Sequence, residues 1–153
     1  MNKNQLTQIN KIAIELLTEI GLECEVKTEF DEKVRVIKIQ IDSPEAALLI
    51  GFHGETLQSL QLILSFMTHQ ILREWIKVNV NVGDYRQKRE EQLKKLALNL
   101  AMKAKFSGET QIIPNLSASE RRIIHLVLAD HPEVISESEG EGRNRVLTIK
   151  PKI

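Results

Sequence analysis

A chain of 153 residues holds one average domain or two very small ones, and 42% hydrophobic with 27% charged residues is a globular mixture, not a disordered one. Lys+Arg and Asp+Glu balance at 21 each, which argues against a generic polyanion binder, and a single cysteine excludes an intramolecular disulfide or a multi-cysteine metal centre. No signal segment opens the chain and no apolar run approaches the ~20 residues that span a bilayer, so a cytoplasmic protein without membrane insertion is expected.

In chain order, Leu6, Ile9, Ala13, Leu16 and Ile20 recur at helical spacing up to Gly21. Leu22, Cys24, Val26 and Thr28 then alternate with polar residues, as in a half-buried strand that would place Cys24 in the core. A second strand, Val34 to Ile41, switches apolar parity between Val36 and Ile37, which predicts a bulge or burial on both faces. Ser43-Pro44 reads as the start of a short helix, with Ser43 as N-cap, running from Glu45 to Ile50. After Gly54 a longer helix carries Leu57, Leu60, Leu64, Met67 and Ile71 on one stripe, and Ile76, Val78, Val80 and Val82 alternate in a third strand. The order α-β-β-α-α-β makes the link between strands two and three a crossover, which favours parallel pairing.

Gly83-Asp84 marks the expected boundary between residues 1–83 and 84–153. A long helix from Tyr85 to Lys105 would bury Leu93, Leu96, Ala97, Leu100 and Ala104 and keep Arg86, Lys88, Arg89, Lys94, Lys95 and Lys103 largely outside. A short strand, Gln111 to Ile113, precedes a helix opened by a capping box of Ser117 and Glu120. Val134-Ile135 and Val146 to Ile149 form a closing hairpin around the loop 139–142. Charge follows this division. Residues 1–50 hold six Lys/Arg against nine Asp/Glu, whereas residues 85–153 hold thirteen against nine. A basic second half favours phosphate, and it equally describes a solvated surface.

Two clusters carry recognisable chemistry. Gly51-Phe52-His53-Gly54 joins two helices inside the α/β unit, where paired glycines permit a sharp turn and close backbone approach, and the following helix N-terminus favours an anion. A plain helix–helix corner would use glycine in the same way. Arg121 and His125 lie four apart at one edge of the arc Ile123, Ile124, Val127 and Leu128, with Arg122 pointing away. That edge suits a half-exposed binding site, and it equally suits an Arg and a His that cap neighbouring strands by hydrogen bonds.

The run from Leu49 to Leu57 resembles the signature loop of a type II KH domain, and Ser119 to His125 is similar to the Arg-x₃-His motif of R-3-H domains. With Val82-Gly83-Asp84-Tyr85-Arg86 and Ser138-Glu139-Gly140-Glu141-Gly142, the chain resembles the Jag family of bacterial RNA-binding proteins over nearly its whole length. The resemblance implies an α+β architecture: a type II KH domain with a three-stranded mixed sheet, then a small α/β R-3-H domain. It implies a non-catalytic binder of single-stranded RNA, acting as a post-transcriptional regulator or RNA chaperone, with no cofactor and no metal. Single-stranded DNA is a further ligand to consider. The contact residues would be Gly51, Phe52, His53 and Gly54 in the loop, and Arg121, Arg122, His125, Arg143 and Arg145 in the second domain.

Two departures from the family pattern are expected. At 153 residues the chain is expected to lack the additional N-terminal module of longer members, and the middle of the loop, usually basic, is Phe52-His53. KH loops clamp about four nucleotides largely through the backbone. The fold therefore tolerates this change while the Coulombic attraction weakens, and the basic second domain is expected to supply much of the affinity. Gly54→Asp is expected to abolish loop binding without unfolding the domain. An enzyme finds little support, since no paired-carboxylate metal site, P-loop or nucleophile motif accompanies the histidines. The other alternative is an adaptor, in which the KH unit forms a homodimer or a heterodimer with a small KH protein and nucleic acid is secondary.

Overall fold

The computed structural model describes residues 2–152, with the side chain of Arg143 also outside the described residues. The chain divides into two compact units, Met1–Arg86 and Gln87–Ile153.

In the first unit, α1 (Lys3–Glu19) precedes a hairpin of β1 (Glu25–Asp31) and β2 (Val36–Asp42). Helices α2 (Ala46–Ile50) and α3 (Glu55–Leu72) cross over to β3 (Lys77–Val82). The sheet order is β1-β2-β3, with β1 and β2 antiparallel and β2 and β3 parallel, as the crossover requires. Register explains why the pattern folds this way. Val26, Thr28 and Phe30 face Ile41, Ile39 and Ile37, and these face Val82, Val80 and Val78, forming three aligned columns across the sheet. Ile9, Ala13 and Leu17 of α1 and Leu57, Leu60 and Leu64 of α3 complete this core. Each fully buried aliphatic side chain stabilises the unit by roughly 1.5–3 kcal/mol as an upper estimate. The opposite parity, Lys27, Lys38, Gln40, Asn79 and Asn81, leaves the other face of the sheet polar.

Three local expectations shift. Ladder pairing runs without a bulge from Asp31↔Val36 onward, so the parity switch reflects a buried Val36 at the strand start. Ser43 does not cap α2, which has Glu45 at its N-cap; the Ser43 hydroxyl instead donates to the Glu23 carbonyl at 2.6 Å and accepts from Glu45 N–H at 3.2 Å. Cys24 precedes β1 and is half-buried against the core, and this burial raises its thiol pKa above the ordinary value.

The second unit contains most of α4 (Tyr85–Ser107), then β4 (Gln111–Ile113), α5 (Ala118–Leu128), β5 (Val134–Glu139) and β6 (Val146–Pro151). Its sheet is antiparallel in the order β4-β6-β5. Leu93, Ala97, Ala101 and Ala104 of α4 and Ile124 and Leu128 of α5 meet Ile113, Val134, Leu147 and Ile149 in a second core. Ala101 takes the inward position expected of Leu96, which is 37% exposed, because four-residue steps from Leu93 through Ala97 track the buried face. Among the described residues, no helix is long and apolar enough to cross a membrane.

Candidate nucleic-acid interface

Gly51 ends α2 at φ +69°, ψ −172°, a conformation open almost only to glycine. A β-carbon there would overlap the Thr56 hydroxyl and lie 2.8 Å from Thr56 Cβ. Gly54 turns the chain into α3 at φ +84°, and a β-carbon there would lie 2.8 Å from Tyr85 Oη and 3.2 Å from Tyr85 Cε1. Both glycines are therefore required for space as well as dihedral freedom. Gly54→Asp therefore carries a backbone cost in addition to any effect on binding.

The two glycines force the residues between them outward. Phe52 is 67% exposed, so it is not packed into the core, and its ring meets the His53 imidazole edge-on with centroids 4.1 Å apart. His53 itself sits at φ +50°, an uncommon conformation for a side chain that large. The loop carries no lysine or arginine, and Glu55 places an acid at the first position of α3. That carboxylate competes with an incoming phosphate for the positive end of the helix. The loop thus offers backbone amides and an exposed aromatic pair, with little Coulombic pull.

Arg86 is less available than its place among the exposed cations of α4 suggested. Its Nε donates to the Val80 carbonyl at 2.7 Å and its Nη2 to Gln61 Oε1 at 2.6 Å, while Val80 N–H donates to the same Gln61 oxygen at 3.0 Å. The guanidinium thereby closes the outer edge of β3, and its burial lowers its pKa. Arg89 also turns inward, donating through Nε to Glu120 Oε1 at 2.7 Å.

In the second unit, Ser117 and Glu120 form the expected capping box: Ser117 Oγ accepts from Glu120 N–H at 3.2 Å and Glu120 Oε2 accepts from Ser117 N–H at 2.7 Å. Glu120 is only 8% exposed, so one carboxylate closes the helix and pairs with Arg89 at once. Arg121 is half-buried and donates through Nη1 to the Leu116 carbonyl at 2.5 Å. The His125 ring sits between two serines of β5, with Nδ1 2.7 Å from Ser136 Oγ and Nε2 2.9 Å from Ser138 Oγ. His125 thus bonds β5 across the α5–β5 seam as the strand-capping alternative would have it, whereas Arg121, one turn earlier on the same helix face, bonds the segment that leads into α5. Arg122 and Arg145 are exposed. Arg143 is named among the candidates, but its side chain lies outside the described residues. Lys150 of β6 donates to Glu137 Oε2 and Glu139 Oε1 of β5 at 2.6 Å each, which raises its own pKa and lowers that of Glu139.

Sequence reading did not single out Tyr85, Ser136 and Ser138 as site residues. Tyr85 meets Gly54 across 31 positions, and the serines occupy a strand whose pairing with β6 alone brings them beneath α5. The available signals were the place of Tyr85 and Ser138 in the two family-like runs and the same-face spacing of Ser136 and Ser138.

Comparison with known proteins aligns both units. Residues 7–82 match the KH-domain model of KhpA and KhpB, and residues 91–151 match the R-3-H domain model. The RNA-binding protein KhpB of Clostridium symbiosum is 30% identical over 144 residues, covering 92% of this chain and 65% of the relative. That of Streptococcus pneumoniae is 31% identical over 146 residues, covering 92% and 44%. That of Bacillus subtilis is 35% identical over 126 residues, covering 79% and 59%. The chain spans less than two thirds of the length of these curated relatives.

Proposed function

Because this chain belongs to the KhpB (Jag) family, with a KhpA/KhpB-type KH domain followed by an R-3-H domain, we propose that it is a non-catalytic protein that binds single-stranded RNA. One observation carries the reading: a glycine-framed loop at the start of α3 holds Phe52 and His53 outward on a backbone that favours glycine at both ends. Such a loop clamps nucleotides by backbone approach, and exposed rings add stacking that is indifferent to base identity. Gly51, Phe52, His53 and Gly54 form the loop contact. Arg121, Arg122, His125, Arg143 and Arg145 form the second contact, with the exposed Arg122 and Arg145 facing phosphate and the hydrogen-bonded Arg121 and His125 ordering the seam beside them.

Non-specific recognition of this kind suits a post-transcriptional regulator or RNA chaperone in the cytoplasm. Fluorescence anisotropy with single-stranded RNA at low salt tests the reading, and single-stranded DNA of the same sequence shows whether the 2′-hydroxyl matters. Absence of RNA affinity at low salt would remove it.

A second reading is favoured by the outer face of α3. Leu62, Ile63 and Phe66 are each about half exposed, and Trp75 is 64% exposed, stacked on His69 at 4.1 Å and edge-on to Phe66 at 5.6 Å. A contiguous apolar face of this kind marks an association surface. It fits a KH-mediated homodimer, or a heterodimer with a small KH protein. Light scattering on the wild type and on Phe66→Glu tests it: a dimer that dissociates in the variant supports the adaptor role, and a monomeric wild type removes the homodimer.

A further inference from the structure

Three of the four loop residues hold positive φ: Gly51 at +69°, His53 at +50° and Gly54 at +84°. Glycine reaches such dihedrals at little cost and has many others open to it, so the run keeps one shape only where neighbouring groups restrict it. Two side chains do so, one at each glycine. Thr56, in the first turn of α3, occupies the space beside Gly51, and Tyr85, the first residue of α4, lays its ring edge on Gly54.

Tyr85 is itself firmly seated. Its ring packs against the core of the first unit. The next residue, Arg86, is fixed by its backbone N–H to Asn81 Oδ1 at 3.3 Å and by its guanidinium to Val80 and Gln61. The start of α4 is thus tied to β3 and α3, and Tyr85 projects from that anchor onto the loop. Tyr85 Cε1 would lie 3.2 Å and Cζ 3.4 Å from a β-carbon on Gly54, so the ring edge, and not the hydroxyl alone, lies over the glycine.

We propose that Tyr85 is a positioning residue for RNA binding: its ring holds Gly54 in the left-handed conformation and so presents Phe52 and His53 in the geometry the ligand meets. The inference rests on the loop reading given above. A loop ordered in advance does not lose its freedom when RNA arrives, whereas a released loop must be ordered at the expense of affinity.

The test uses the full chain, a fluorescein-labelled single-stranded RNA of mixed sequence, and amide exchange at Gly54, whose N–H reaches the Gly51 carbonyl at 3.4 Å. Tyr85→Ala should weaken binding about tenfold and Tyr85→Phe by no more than about twofold, as expected for lost preorganisation. Faster exchange at Gly54 should accompany the loss in Tyr85→Ala, while amides of the buried strand β2 stay protected. Phe52→Ala/His53→Ala serves as the control for the loop itself. Wild-type affinity in Tyr85→Ala alongside weakened binding in that control would overturn the Tyr85 role alone; unchanged binding in both would overturn the loop reading. A Tyr85→Phe variant as weak as Tyr85→Ala would also overturn positioning by the ring. Should Tyr85→Ala unfold the first unit, Tyr85→Leu takes its place with the same expected and overturning results.

Discussion

The loop at Gly51–Gly54 and the seam between α5 and β5 meet solvent by opposite means. The loop is shaped by what its residues lack: two missing β-carbons let Thr56 and Tyr85 close in, and the exposed side chains between them include no lysine or arginine. The seam is shaped by what its residues bond to. Arg121 is held by Leu116, His125 by Ser136 and Ser138, and Glu120 by Ser117 and Arg89, which leaves the exposed Arg122 and Arg145 as cations on an ordered frame. A backbone clamp is intolerant of added atoms and indifferent to salt, while a cationic frame tolerates substitution and responds to salt.

Substitutions should separate the two. The largest effect is expected for Gly54→Ala, which combines a left-handed backbone cost with overlap onto Tyr85. About 2–4 kcal/mol of stability should be lost, read from urea unfolding of the first unit. A loss below about 0.5 kcal/mol would show that Tyr85 yields freely and that the loop is not closely packed. Next is Glu120→Ala. It strands the largely buried Arg89 guanidinium and opens the α5 cap, and should cost roughly 2–3 kcal/mol in the second unit. A smaller effect, about 1–2 kcal/mol, is expected for His125→Ala, which removes the two serine hydrogen bonds. Ser136→Ala/Ser138→Ala should reproduce most of that loss, and an unperturbed double variant would disconnect the ring from β5.

The smallest effect concerns pH. Asp31, bonded to Lys38, and Glu139, bonded to Lys150, both have lowered pKa values in the folded chain. Their stabilisation is therefore present at neutral pH and is lost as pH falls from about 4.5 through their folded values. Both pairs are exposed, so the acid-induced change should be slight and should shrink further in high salt. A large loss of stability already at pH 6 would contradict this assignment.

Much of the architecture was legible because it follows period and punctuation. The α-β-β-α-α-β order, the parallel pairing of β2 and β3 and the Ser117–Glu120 cap all rest on patterns a few residues long. What escaped notice depends on chain segments far apart in sequence. Arg89 reads as a surface cation until Glu120 is brought to it, and Arg86 until Val80 and Gln61 are. β5 extends to Glu139 although Ser136 to Glu139 are poor strand formers, because pairing with β6 supplies what propensity does not. The edge position of Arg121 and His125 was visible from a helical wheel, whereas their partners Leu116, Ser136 and Ser138 were not.

The salt dependence of RNA binding tests the contrast most directly. Log affinity against log salt should be measured for the wild type, for Phe52→Ala and for Arg122→Ala/Arg145→Ala. Phe52→Ala should lower affinity by about 1–2 kcal/mol through lost stacking while keeping the wild-type slope. Each arginine removed should reduce the slope by about 0.7. An unchanged slope in the arginine variant, or a shallower one in Phe52→Ala, would contradict the account.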